Sequence, residues 1–86
     1  MRYQQIMKNE VKWKGYTICR WVVAMVEGTP IGEFDSMEDA KKSMKGTPCT
    51  FKYAAAEEIN YDGDVNPAVY GDTLKEAMNK LKKVLL

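Results

Sequence analysis

The chain has 86 residues, of which 45% are hydrophobic and 29% are charged, and its formal net charge is +1 at neutral pH. These proportions are typical of a folded globular domain, and they exclude a disordered chain and an integral membrane protein. The first ten residues, "MRYQQIMKNE", lack the apolar core of a secretory signal. We therefore expect one domain over residues 1–86, in the cytoplasm.

Residues 1–18 are predicted to be an N-terminal strand segment. The stretch "VKWKGYTI" at 11–18 reads as a strand or hairpin arm with a break at Gly15. Basic Lys12 and Lys14 alternate there with aromatic Trp13 and Tyr16. Residues 1–26 carry five Lys or Arg against one Glu, whereas residues 27–72 carry four against ten acids. This distribution indicates a surface with separate positively and negatively charged regions rather than a uniformly basic surface.

A first structural unit is predicted over about residues 19–46. "CRWVVAMVEGTPIGEF" reads as a strand, a four-residue turn around "EGTP", and a short strand. Ser36 follows and has Asp39 three residues later, the capping-box spacing that marks a helix start. We expect this helix to run to about Lys45, because Gly46 then ends it.

A second unit is predicted over about residues 50–86. "TFKYAAAEEINYDGDVNPAVY" reads as a strand, a loop at "DGDVNP", and a short strand. Thr73 and Glu76 repeat the capping box, and an amphipathic helix follows. Its apolar stripe consists of Leu74, Ala77, Met78, Leu81, Val84 and Leu85.

The two helix starts are near-copies, since Asp35, Ser36 and Ala40 align with Asp72, Thr73 and Ala77 at an offset of 37 residues. The chain therefore reads as two strand–strand–helix units. We predict an α+β fold in which a four- or five-stranded antiparallel sheet carries both helices on one face.

The sequence offers little that could carry catalysis or bind a cofactor. Histidine is absent, which removes the usual general base and the commonest transition-metal ligand. Cys19 and Cys49 have no metal-binding or redox spacing, so we expect free buried thiols. "DGDVN" at 62–66 begins like a calcium loop, but Pro67 and Thr73 stand where such a loop needs glycine and glutamate. We therefore predict no enzyme, no cofactor and no metal.

The segment "RWVVAMVEGTPIGEFDSMEDA", about residues 20–40, is similar to the sheet-type DNA-binding domains of ethylene-response factors and of recombinase arm-binding domains. The matching positions, which make the hairpin-to-helix junction, are Gly32, Phe34, Asp35, Ser36 and Ala40. The resemblance implies a three-stranded sheet that contacts the DNA major groove through Arg and Trp. Beyond Arg20, however, this strand carries no further arginine. The nucleic-acid candidates are Lys12, Lys14 and Arg20.

The strand "WVVAMV" is apolar on both alternating faces, whereas two helices cover only one side of a sheet. The uncovered side would expose an apolar patch formed by Trp21, Val23 and Met25 or by the residues that alternate with them, and such patches mark protein contacts. A second copy, a partner protein or residues 1–7 folding back would cover it. The partner-binding candidates are Trp13, Tyr16, Trp21, Val23 and Met25.

From these features we predict a non-catalytic small binding or inhibitory protein that acts through protein–protein contacts on its sheet face or edge. The partner is another protein or a second copy of the chain, and no membrane is involved. Compact single-domain proteins of this size are frequent among phage and mobile-element accessory proteins, which is the class we expect here. The alternative is a DNA-binding module that uses the basic and aromatic N-terminal strands.

Overall fold

The computed structural model of the chain describes residues 10–58 and 67–86. Residues 1–7, one of the possible covers of the sheet, lie outside these ranges, as does the "DGDVN" part of the predicted loop. The elements are β1 (Val11–Trp13), β2 (Tyr16–Val26), β3 (Thr29–Phe34), α1 (Met37–Ser43), β4 (Thr50–Glu57), β5 (Val69–Gly71) and α2 (Leu74–Leu85). This arrangement confirms the predicted α+β class with five strands and two helices.

Two tight turns connect the first three strands. Lys14 and Gly15 join β1 to β2 with φ of 48° and 83°, and Glu27 and Gly28 join β2 to β3 with φ of 50° and 79°. Positive φ at both central residues is what a two-residue hairpin turn of type I′ requires. The predicted break at Gly15 is therefore a turn. The predicted four-residue turn around "EGTP" is wrong in length, because β3 already begins at Thr29.

The long strand β2 organises an entirely antiparallel sheet. β4 runs along one edge of β2, from the pair Ile18–Glu57 to the pair Met25–Thr50. β1 and β3 share the other edge of β2, where they pair with its first and last residues respectively. β5 pairs with the far edge of β4.

The two predicted units are present as β2–β3–α1 and β4–β5–α2. Val22 pairs with Tyr53 at the centre of the sheet, Phe34 pairs with Val22, and Gly71 pairs with Tyr53. Phe34 and Gly71 are themselves related by the 37-residue offset of the sequence repeat. An approximate two-fold axis therefore passes between Val22 and Tyr53, and β1 is an addition to the first unit.

Both helices begin at the predicted caps. The Ser36 side-chain oxygen accepts a hydrogen bond from the Asp39 backbone N–H, and Thr73 accepts one from the Glu76 N–H, each at 3.1 Å. α1 ends at Ser43, earlier than predicted. Gly46, three residues beyond, has a φ of 86°, which glycine adopts without steric cost.

The helix-facing side of the sheet forms one of two buried clusters. Its centre consists of Ile18, Ala55, Ala77 and Leu81, and the half-buried Trp13 and Tyr16 pack against it. Small residues let α2 approach the sheet closely. A Cβ atom on Gly71 would lie only 2.6 Å from the backbone nitrogen of Ala77.

The opposite side of the sheet is also buried, so the predicted exposed patch is wrong. Trp21, Val23 and Met25 are 4%, 1% and 9% exposed. They pack with Cys19, Ala54 and Ala56, and the half-buried Ala68 and Tyr70 lie against the same cluster. The three residues therefore have almost no surface to offer a partner. Of the helices in the described ranges, neither is long and apolar enough to cross a membrane.

Candidate functional site

The most distinctive surface lies where the β1–β2 turn meets the end of α2. The Trp13 and Tyr16 rings stack with their centroids 6.2 Å apart and their planes 23° from parallel. The Nζ atoms of Lys14 and Lys82 lie 5.2 Å and 5.4 Å from the Trp13 ring centroid. We name these four residues, Trp13, Lys14, Tyr16 and Lys82, the Trp13 patch.

Backbone geometry brings the members of the Trp13 patch together. The tight turn pairs Trp13 directly with Tyr16 across the hairpin, and directly paired residues project to the same face of a sheet. The Tyr16 hydroxyl donates a hydrogen bond to the backbone oxygen of Leu85 at 3.1 Å. This carbonyl lies in the last turn of α2, where carbonyls have no intrahelical partner. The bond ties the hairpin to the helix, and Lys82, almost one turn earlier, lies over Trp13.

The Trp13 patch has an apolar base and a charged top. Trp13 and Tyr16 pack against the buried cluster of Ile18, Ala55, Ala77 and Leu81, yet both aromatic residues remain only half-buried. Each ammonium group near an indole ring contributes about 0.5 to 1 kcal/mol at an exposed site. The rings are therefore anchored by the core while the two cations face outward.

Like several other lysines, the two patch lysines have no described carboxylate partner, whereas Lys52 and Lys80 each have one. Within residues 10–58 and 67–86, no carboxylate lies at ion-pair distance from Lys14 or Lys82. Lys52, by contrast, pairs with Asp72. Hydrogen bonding and charge attraction within that pair raise the pKa of Lys52 and lower the pKa of Asp72. The Trp13 patch thus carries two positive charges that no described side chain neutralises.

The predicted nucleic-acid residues do not form one surface. Lys14 belongs to the Trp13 patch, whereas Lys12 pairs with Thr17 in the ladder and its Nζ donates a hydrogen bond to the Thr17 hydroxyl. Lys12 alternates with Trp13 along β1, so the two side chains project to opposite faces. Arg20 is half-buried in the sheet and lines a cavity whose lining includes neither lysine.

That cavity lies between the first residues of the two helices, close to the approximate two-fold axis. Its volume is about 210 Å³, smaller than the roughly 300 to 1,000 Å³ of typical small-molecule sites. The lining residues are Arg20, Trp21, Val22, Asp35, Ser36, Met37, Tyr53 and Leu74. Arg20 therefore lies at the junction between the two strand–strand–helix units.

A separate cluster joins Cys19 to Glu10 and Glu58. The Cys19 Sγ donates a hydrogen bond to the Glu58 Oε2 at 3.7 Å. Burial raises the pKa of Cys19 to about 11, and the charges of Glu58 and Glu10 add to the rise. The thiol therefore stays protonated at neutral pH and is not an activated nucleophile.

The same three residues offer one sulfur and two oxygen atoms within 4.8 Å of one another. Burial, together with the hydrogen bond and charge of Glu10, raises the pKa of Glu58. A metal ion would need the thiolate and the carboxylates, whereas this environment favours the protonated forms of Cys19 and Glu58. Hydrogen bonding within the cluster accounts for its geometry. Cys19 is a buried thiol rather than a disulfide sulfur, as predicted, but Cys49 is only half-buried, so the prediction of burial is wrong for Cys49.

Sequence reasoning did not select Lys82 as a site residue. Its position just after Leu81 in an amphipathic helix indicates only a polar-face lysine.

Comparisons with protein-family models, with curated proteins and with solved structures found no match. The similarity of residues 20–40 to sheet-type DNA-binding domains therefore stays a resemblance of one short segment, and the function has to be argued from the geometry.

Proposed function

We propose that the protein is a non-catalytic binding protein that acts through a protein–protein contact at the Trp13 patch. The observation that carries the proposal is the half-buried, stacked pair of Trp13 and Tyr16 with two lysine ammonium groups beside it. Tryptophan and tyrosine are the residues most enriched among energetically dominant contacts of protein interfaces. Rings anchored in a core cost little conformational entropy when a partner covers them.

The edge of the sheet next to the patch adds support. β1 (Val11–Trp13) is the last strand on its side of the described sheet, and its outer edge pairs with no other described strand. Such an edge offers backbone hydrogen-bonding groups to an extended partner chain. A partner at this end of the molecule would meet aromatic rings, positive charges and a strand edge together.

A binding role fits the remaining chemistry better than catalysis does. The chain has no histidine, and the pKa of Cys19 is raised to about 11, so this thiol is a poor nucleophile. Among chains of this size, an accessory or inhibitory protein that blocks or recruits a larger protein is the role we favour. DNA binding has less support, because Lys12 contacts Thr17, Lys14 contacts Trp13 on the opposite face, and Arg20 lines a cavity that includes neither lysine.

Affinity capture with charge-reversed variants tests the proposal. The tagged 86-residue chain would be incubated with lysate of its natural cells, with and without nuclease treatment, and captured proteins would be identified by mass spectrometry. We expect Lys14→Glu with Lys82→Glu to lose partners that the wild type retains. Lys42→Glu with Lys45→Glu is the matched control. Both lysines are exposed near the end of α1, and this double substitution changes the net charge by the same amount as the one in the patch. Circular dichroism checks that all forms are folded.

If the partner is a second copy of the chain, light scattering would give the molar mass of a dimer. We expect the dimer to be lost in the variant with both patch lysines reversed and kept in the control variant. Identical capture and identical mass for all three forms would refute the proposal. A partner that disappears on nuclease treatment would favour the DNA-binding alternative instead.

A further inference from the structure

We infer that the Trp13 patch takes an acidic peptide segment, whose carboxylates lie against Lys14 and Lys82 and whose apolar side chains lie against Trp13. The inference rests on the proposed function and adds the chemistry of the partner. Its basis is the pair of cations that no described carboxylate neutralises, placed beside one aromatic ring.

Electrostatics favours a negatively charged occupant. Contact with the indole ring attracts each ammonium group but leaves its charge uncompensated. Because both lysines are held near the same ring, one approaching carboxylate is attracted by two positive charges. Complementary charge of this kind raises the association rate and selects the partner.

The side-chain type fits carboxylates on a flexible chain. Lysine is a compact point charge on a rotatable stem, so its stem can stay against Trp13 while its ammonium group turns to an acceptor. Trp13 and Tyr16 supply apolar area between the charges. An acidic segment with interspersed apolar residues matches both properties.

The overall charge of the chain favours an acidic peptide over nucleic acid. The whole chain has a net charge of only +1, whereas nucleic-acid-binding domains are usually strongly basic.

Fluorescence anisotropy with three labelled probes tests the inference on the whole 86-residue chain. The probes are a peptide of about 12 residues alternating Glu with Leu or Phe, the same peptide with Gln for Glu, and a DNA duplex of similar length. We expect the Glu peptide to bind roughly tenfold more tightly than the Gln peptide at low salt. Lys14→Gln with Lys82→Gln should abolish this preference, and Lys42→Gln with Lys45→Gln should preserve it.

Equal affinity for the Glu and Gln peptides would overturn the inference, as would tighter binding of the duplex with the same dependence on Lys14 and Lys82. The capture experiment separates this failure from that of the proposed function. Nuclease-resistant capture that depends on the two lysines, without a preference for the Glu peptide, rejects the acidic partner alone. Loss of both signals rejects the binding role of the patch as well.

Discussion

Replacing Gly71 with alanine should destabilise the fold strongly, because the added Cβ would collide with the backbone of α2. Its nearest neighbours would be the Ala77 nitrogen at 2.6 Å, the Glu76 Cβ at 2.9 Å and the Glu76 carbonyl carbon at 3.0 Å. Ordinary van der Waals contact begins near 3.4 Å, so the helix would have to move by several tenths of an ångström. That movement would loosen the packing of Ala77 and Leu81, which are 0% and 3% exposed.

Overpacking of this kind costs about 2 to 3 kcal/mol when a backbone must shift. For a domain of this size, the loss corresponds to a fall in Tm of roughly 8 to 24 °C. Gly28→Ala is a useful comparison, because a Cβ there would meet no heavy atom within 4 Å. Its positive φ of 79° should cost about 1 kcal/mol.

Urea unfolding followed by circular dichroism would give both free energies of unfolding. A smaller loss for Gly71→Ala than for Gly28→Ala would refute the argument, because it would mean that α2 does not rest against β5 at this point.

Three further tests address the caps, the acidic cluster and the buried sheet face. Ser36→Ala and Thr73→Ala should each lower the free energy of unfolding by about 0.5 to 2 kcal/mol, measured in urea; two neutral substitutions would contradict the capping roles. Because the pKa of Glu58 is raised in the folded state, wild-type stability should decline as the pH rises from 4.5 through the folded-state pKa. Glu58→Gln should flatten that decline in Tm measured from pH 4 to 8, and an unchanged slope would be evidence against the raised pKa. Val23→Glu should unfold the protein by burying an unpaired charge, since Val23 is 1% exposed, whereas Ile31→Glu at a 48% exposed position should stay folded. A folded Val23→Glu protein would mean that this face opens readily.

Local features of the fold could be predicted from the sequence because their causes lie within a few residues. A hydroxyl at Ser36 or Thr73 reaches an N–H group three positions later whatever the rest of the chain does. The amphipathic stripe of α2 similarly follows from helical periodicity alone. These two signals, together with the strand patterns, were enough to identify two strand–strand–helix units.

Features that depend on packing between distant elements could not be predicted in the same way. Alternation along β2 correctly grouped Trp21, Val23 and Met25 on one face, but counting helices did not determine whether that face was covered. Lys82 was missed because its contact with Trp13 depends on the direction in which α2 crosses the sheet. No spacing within the sequence encodes that direction.

The approximate two-fold axis between Val22 and Tyr53 also permits a domain-swapped assembly. β2 and β4 are equivalent strands, so each unit pairs with the other through the kind of self-complementary edge that isologous dimers use. In a single chain this pairing is satisfied internally, and two chains could share it by exchanging their β4–β5–α2 units. Every exchanged pair would keep the same register, while each Trp13 patch would combine β1 of one chain with Lys82 of the other.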